Sequence, residues 1–263
     1  MNGRVLVIAG SDSGGGAGIQ ADIKAVMAMG GFAATALTAI TAQNTLGVHA
    51  IMPVPPDLVR QQIAVVLDDI GADAIKTGML GDATTVAAVA DELERRGSSI
   101  PLVVDPVMVA KGGASLLADD AVDTLRRRLL PLATLITPNL PEAACLLGRP
   151  IDSPEEASTA LLRLGARAVL LKGGHAQGTR VRDVLAHAGG VETFEMERID
   201  TRHTHGTGCT LASAIAAGLA QGLTLPDAVR RARRYVQEAI RTAPGFGAGH
   251  GPLNHNAGFD QEP

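Results

Sequence analysis

Short aliphatic runs, each about the length of one strand, alternate with amphipathic stretches of helical period along almost the whole chain. That alternation is the strongest constraint on the fold, because strands separated by helices cannot pair as hairpins and must cross over into a mainly parallel sheet with helices on both faces. Strands are predicted at Val5–Ala9, Ala33–Thr41, Ala74–Thr77, Leu102–Asp105, Leu135–Thr137 and Ala168–Lys172, with an antiparallel pair at Val181–Ala186 and Glu192–Glu197. Helices are predicted at Ile19–Met29, Pro56–Ile70, Ala83–Arg96, Asp119–Leu130, Pro154–Leu164, Gly208–Ala220 and Pro226–Thr242. The segment NTLGVHAIMPVPP has strand character but ends in prolines, which suits an edge excursion covering a pocket. The expectation is one α/β domain over residues 1–263, its last part, from about residue 248, a Gly/Pro-rich loop or frayed tail.

Composition narrows the function classes. Only 2% of the 263 residues are aromatic, with no Trp and one Tyr. The core must therefore be aliphatic, and a stacking platform for single-stranded nucleic acid is excluded. The formal charge is −4, and the basic clusters Arg126–Arg128 and Arg230–Arg234 lie on predicted helices without forming a polyanion footprint, so no nucleic-acid partner is expected. Two cysteines, Cys145 and Cys209, cannot build a disulfide framework, and a reducing cytoplasm fits them best. The opening run RVLVIAG is too short to span a membrane and lacks a cleavage-site pattern, so neither membrane nor export is expected.

In open α/β sheets, ligands gather at the carboxyl ends of the strands. The first of these ends carries AGSDSGGGAGIQAD, which lacks a strict G-x-G-x-x-G and has no acidic residue about twenty positions further on, as a dinucleotide fingerprint would require. Either the glycines make a tight strand-to-helix turn, or they let a small ligand lie against backbone with Asp12 or Asp22 reaching its polar groups. A Walker A loop needs Gly-Lys, and that dipeptide does not occur. The stretch HGTGC is then the remaining phosphate cradle: Gly206 and Gly208 at a helix start can converge amides on an anion, unless they form a bare helix entrance. Cys209 there is either an inert small hydrophobe or a thiol whose pKa falls from about 8.5 toward neutrality beside the helix N-terminus.

Three further strand ends carry oxygen and nitrogen donors. Asp105 stands before a proline in VVDPVMVAKGG, and Lys172 in VLLKGGH is either a phosphate contact or a snorkelling surface lysine. In TPNLPEAACLL, Asn139 and Glu142 straddle a helix start, as a capping box or as donors to a water-rich magnesium ion. His203 and His205, two apart with no cysteine pair, make a poor zinc site.

Taken in order, AGSDSGGGAGIQADIKA, AQNTLGV, IKTGML, DPVMVAKGG, TPNLPEA, LKGGH and THGTGCTLASAIAAGLA resemble the hydroxymethylpyrimidine/phosphomethylpyrimidine kinases of thiamine biosynthesis, members of the ribokinase-like superfamily. The likeness runs from about residue 4 to GHGPLNH. It implies a single Rossmann-like α/β domain, a homodimer in the cytoplasm, that moves the γ-phosphoryl of ATP with Mg2+ onto the pyrimidine's hydroxymethyl oxygen and then onto the monophosphate. It also implies that Gln43 holds the aminopyrimidine edge, with Asp22, Met79 and Val107 completing that pocket. Cys209 stands where most ribokinase-like enzymes have an aspartate base, next to an anion hole of Gly206, Thr207 and Gly208. Asp105, Asn139, Glu142 and Lys172 would serve the nucleotide phosphates and the metal, with Glu142 and Asp105 as metal ligands. His203 departs from the asparagine that many relatives carry. Two other readings are a pyridoxine/pyridoxal kinase of the same superfamily and a pyrimidine-binding sensor without catalysis.

Overall fold

A computed structural model describes residues 2–108, 116, 118–174 and 178–258. Its main sheet has eight strands: β1 (Arg4–Ala9), β2 (Phe32–Leu37), β5 (Ala74–Thr77), β6 (Leu102–Val104), β7 (Leu135–Ile136), β8 (Ala168–Leu171), β9 (Arg180–His187) and β10 (Gly190–Glu197). Their spatial order is β10-β9-β8-β7-β6-β5-β1-β2. Pairing is parallel from β2 to β8, and β9 and β10 add an antiparallel edge, as the alternation predicts. The strand order reverses between β1 and β5, which opens a crevice at their carboxyl ends.

Strand alternation divides the core. Leu6, Ile8, Ile75, Val104, Ile136 and Val169 face helices α2 (Pro56–Asp69), α3 (Ala83–Arg96), α5 (Leu140–Leu147) and α6 (Pro154–Leu162). Val5, Val7, Ala74, Val103, Leu135 and Leu170 face α1 (Gly18–Ala28), α7 (Thr207–Ala220) and α8 (Leu225–Arg241). Both faces are dry, which is why the strands read as unbroken apolar runs.

Four expectations need correction. The predicted strand Ala33–Thr41 is two strands in two sheets. After Leu37 the chain pivots at Thr38, whose hydroxyl donates to Met79 O at 2.7 Å, and β3 (Ala39–Asn44) pairs antiparallel with β4 (Gly47–Pro53) in a separate hairpin. Strand periodicity runs through such a pivot unchanged, so it cannot be seen in the pattern. The predicted helix Asp119–Leu130 is α4 (Asp119–Thr124) followed by a π turn over Leu125–Leu129 and a 3-10 turn over Leu130–Leu132, where Pro131 withholds its amide. The predicted helix Pro154–Leu164 ends at Leu162, and the helix α5 lies where only a helix start had been read. The closing segment is no frayed tail as far as residue 258: Leu253, His255 and Ala257 are buried, and Tyr235 Oη donates to His255 O at 2.9 Å. Residues 259–263, and the whole AKGG segment, lie outside the described part.

Candidate active site

The crevice at the switch point is built from loop backbone held by a few buried side chains. The carboxylate of Asp12, 1% exposed, accepts the amides of Gly14, Gly16 and Ala17 at 2.8, 3.1 and 2.8 Å, and the ring Nε2 of His205 lies 2.8 Å away. The amides and the ring hold the Asp12 carboxyl below the usual carboxylate range despite burial, which opposes them. Asp12 thus organises the β1–α1 loop from within. Neither His205 nor His203 belongs to a metal cluster among the described residues.

Gly206 locks the next loop against this one. Its φ is +80°, and a Cβ there would lie 1.7 Å from Gly16 O, so only glycine fits. The α7 helix begins directly after it. The hydroxyl of Thr207 turns back on Thr204 O at 2.8 Å, so Thr207 secures the turn. The amides of Gly208 and Cys209 have no acceptor among the described residues and form the open end of the helix. A Cβ on Gly208 would sit 3.2 Å from Lys172 Nζ and 3.5 Å from Asp105 Oδ2, which places the amide nest, the cation and the carboxylate around one point.

Lys172 follows β8 and points inward. Its Nζ donates to Asp105 Oδ1 at 2.9 Å and lies 3.8 Å from Glu142 Oε2. These carboxylates raise its pKa further above the ordinary lysine range, although burial acts as the largest single influence in the opposite sense. The snorkelling alternative is thereby removed. Thr137 Oγ1 also donates to Asp105 Oδ1, at 3.1 Å. Asn139 and Glu142 form a full capping box, with Asn139 Oδ1 accepting Glu142 N at 2.9 Å and Glu142 Oε2 accepting Asn139 N at 2.7 Å. Burial, reinforced by Asp105, pushes Glu142 up to about 7 against the pull of Lys172. Capping uses only part of the box, because Glu142 Oε1 and Asp105 Oδ2 accept no hydrogen bond among the described residues.

Cys209 corrects one expectation. Its thiol is pushed up to about 11 rather than toward neutrality. Burial is the main cause, and Asp22 and Asp105 add to it, while Lys76 and the Gly18 backbone only partly offset them. Asp22 is the other correction. Its side chain is 0% exposed, with Lys76 Nζ at 2.8 and 2.9 Å from its two oxygens and Ser213 Oγ donating at 2.7 Å, so it cannot line a substrate pocket. The sequence signal that could have exposed this is the lysine in the otherwise apolar strand AIKT, which pattern reasoning passed over.

On the substrate side, Gln43 is half-buried on β3, its backbone exchanging hydrogen bonds with the Ser13 hydroxyl at 2.7 and 2.8 Å. Its amide nitrogen lies 3.4 Å from His205 Nε2, and Thr41 Oγ1 lies 3.4 Å from its oxygen. Both contacts are long, so the amide remains available to a ligand. The Met79 side chain lies against Gly10, where a Cβ would come within 2.5 Å of its Cε. Val107 follows Asp105 and lines a small cavity with Thr77, Gly78 and Leu125.

An amide nest at a helix start, a cation and two carboxylates beside it, and a thiol on the next residue of the helix define a phosphotransferase of the ribokinase-like fold. Comparison with known proteins agrees. The phosphomethylpyrimidine kinase family matches residues 12–254, and the chain belongs to it. It is 50% identical over 254 residues to the hydroxymethylpyrimidine/phosphomethylpyrimidine kinase of Streptomyces coelicolor, covering 95% of this chain and 93% of that one. It is 53% identical over 256 residues to the thiamine biosynthesis bifunctional protein ThiED of Geobacter sulfurreducens, covering 96% of this chain but only 52% of that longer protein. Among solved structures, the ADP complex of Bacillus subtilis pyridoxal kinase superposes with a TM-score of 0.91 at 38% identity, covering 99% of this chain and 100% of that one.

Proposed function

We infer that this chain transfers the γ-phosphoryl group of ATP to the hydroxymethyl oxygen of 4-amino-5-hydroxymethyl-2-methylpyrimidine, and then a second phosphoryl to the monophosphate, in thiamine biosynthesis. The observation that carries the reading is the position beside Gly208, within 3.2 Å of Lys172 Nζ and 3.5 Å of Asp105 Oδ2, with the Cys209 thiol next along the helix. In this arrangement the Gly208 and Cys209 amides and Lys172 receive the migrating phosphoryl group, and Asn139 helps hold the nucleotide phosphates. Gln43 offers the pyrimidine a donor and an acceptor for its exocyclic amine and ring nitrogen, with Met79 and Val107 against the ring.

The free oxygens of Asp105 and Glu142 suit a magnesium ion that keeps several waters. When bound with ATP, the ion would neutralise phosphate charge and one of the anions that raise the thiol. The alcohol oxygen attacks the γ-phosphorus, the bond to the β-phosphate oxygen breaks, and the hydroxyl proton passes to Cys209. A thiol near 11 is protonated at pH 7 and accepts the hydroxyl proton only as thiolate, so this reading draws on the small thiolate fraction, which neutralising Asp105 would enlarge, and has the proton leave late, as the loose transition state of phosphoryl transfer tolerates.

Ile40 and Met52, paired across the β3–β4 hairpin and 46 and 59% exposed, give one of its faces an apolar patch, which fits a second copy of the chain. On this reading the protein is a homodimer that Met52→Lys weakens, as sedimentation would measure. The cytoplasm suits its two free cysteines, one of them exposed; no helix among the described residues is long and apolar enough to cross a membrane. The main test is a mass-spectrometric product assay with magnesium ATP, comparing hydroxymethylpyrimidine with pyridoxine. Mono- and then diphosphate of the pyrimidine is the expected result. Preferential phosphorylation of pyridoxine would reassign the substrate, and binding without turnover of either would leave a sensor.

A further inference from the structure

Beneath the thiol lies an ion pair that the phosphoryl transfer described above does not use. Lys76 is the third residue of β5, and strand alternation turns its side chain, 0% exposed, toward α1 and α7. Its ammonium bonds both oxygens of Asp22, and among the described residues it has no other hydrogen-bond partner. A buried pair of this kind gives up a large solvation energy, and apolar groups of the same volume would generally stabilise the fold as well or better. Its presence directly under a reacting group therefore calls for a role.

The geometry of the two helices supplies one. Gly18 and Asp22 are four apart on α1, and Cys209 and Ser213 are four apart on α7, so each pair stands on one helix face, one turn apart. One turn deeper than Cys209, Ser213 Oγ donates to Asp22 Oδ1 at 2.7 Å, and Gly18 stands one turn above Asp22. The helices are thus joined by a buried rung, and Lys76 closes it from the sheet.

We propose that Lys76, acting through Asp22 and Ser213, is a positioning residue for phosphoryl transfer: it fixes α7 against α1 so that the Cys209 sulfur at the head of α7 keeps its place, and it balances the Asp22 charge beside that sulfur. The proposal rests on Cys209 as proton acceptor. The charged groups that act on the thiol are Asp22 from α1, Lys76 from the sheet, Asp105 from the end of β6 and Lys172 from the end of β8. Among them Lys76 is the largest influence favouring thiolate, and Asp22 opposes it. Removing the pair takes away both the thiol's main cation and the anion that opposes it, so the direct charge change is only their difference, and it frees the helix interface at once.

The test uses the full chain in a Cys145→Ser background, since Cys145 is exposed and would also react. Lys76→Met alone would strand a buried carboxylate and endanger folding, so the informative variant is Lys76→Met with Asp22→Leu, which replaces the pair by apolar groups; Ser213→Ala is the second variant, removing only the rung. The readouts are iodoacetamide alkylation of Cys209 as a function of pH, and kcat and KM for the first phosphorylation. In the folded double variant, alkylation at pH 8 changes about threefold or more as the sulfur loses its fixed surroundings, and kcat falls about tenfold or more while both KM values stay within about twofold. Ser213→Ala shows a smaller kcat loss, again with KM preserved. Parental alkylation and kcat in the folded double variant, or losses confined to KM, overturn the proposal. Alkylation reports the thiol's surroundings whatever its role in catalysis. Full first-step activity in Cys209→Ala would remove the base assignment, a separate failure from that of the positioning claim.

Discussion

Replacing Gly208 by Ala separates the anion nest from the fold that carries it. The position is the second residue of α7, and its φ is not in the left-handed region. Alanine there therefore gains helix propensity, about 0.5–1 kcal/mol at most. Against this, the added methyl meets Lys172 Nζ at 3.2 Å and Asp105 Oδ2 at 3.5 Å. Only the first contact is tight, and it is to the end of a long side chain that can retreat by a few tenths of an ångström. The balance is close to zero, so the melting temperature of Gly208→Ala should stay within about 3 °C of the parent, 1 kcal/mol being worth about 2–4 °C in a domain approaching this size. Function should respond very differently. The methyl stands between the amides, the ammonium and the carboxylate, where the transferred group must come closest, and loss of one such preorganised contact costs about 100-fold or more in kcat. Thermal denaturation and steady-state kinetics with magnesium ATP on the same preparation give both numbers. A stable Gly208→Ala enzyme with parental kcat and KM would show that phosphate does not pass this point, and the site would have to be redrawn. Gly206→Ala is the control, because its Cβ would lie 1.7 Å from Gly16 O at a φ of +80° and must disturb the fold itself.

Three other outcomes follow from the same geometry. Cys209→Ala lowers the first phosphorylation more than the second, whose attacking oxygen is already ionised, and equal losses in a two-step product assay would remove the base assignment. Gln43→Leu weakens pyrimidine binding by about 1–3 kcal/mol and leaves ATP affinity unchanged, as calorimetry with each ligand would measure. His255 is buried, with Nε2 3.0 Å from Thr210 Oγ1, and burial lowers it from 6.5 to about 4. Because the folded value lies below the unfolded one, its contribution, on the order of 3 kcal/mol, is present above pH 6.5 and is lost as pH falls through 4. Chemical denaturation across that range should show a shallower loss of stability for His255→Gln than for the parent.

The sequence alone determined the architecture and named the candidates for the site. Strand-length apolar runs between amphipathic helices leave little choice but a doubly covered parallel sheet, and the polar punctuation after each strand named Asp105, Asn139, Glu142, Lys172 and the HGTGC turn, because chemistry on this fold collects at strand ends. Tertiary structure decided what those residues experience. Whether Ala33–Thr41 stays in one sheet depends on a pivot at Thr38 that no period records. Whether the Cys209 thiol is activated by its helix or held back by burial depends on Asp22, Asp105 and Lys76, which arrive from three other elements. Whether Asp22 touches substrate or a buried lysine depends on which face of β5 lies under α1. Local pattern follows from bonded neighbours and short-range hydrogen bonding, and so can be read along the chain; solvation and charge at a buried atom are set by groups tens to nearly two hundred residues away, and exist only once the chain has closed around it.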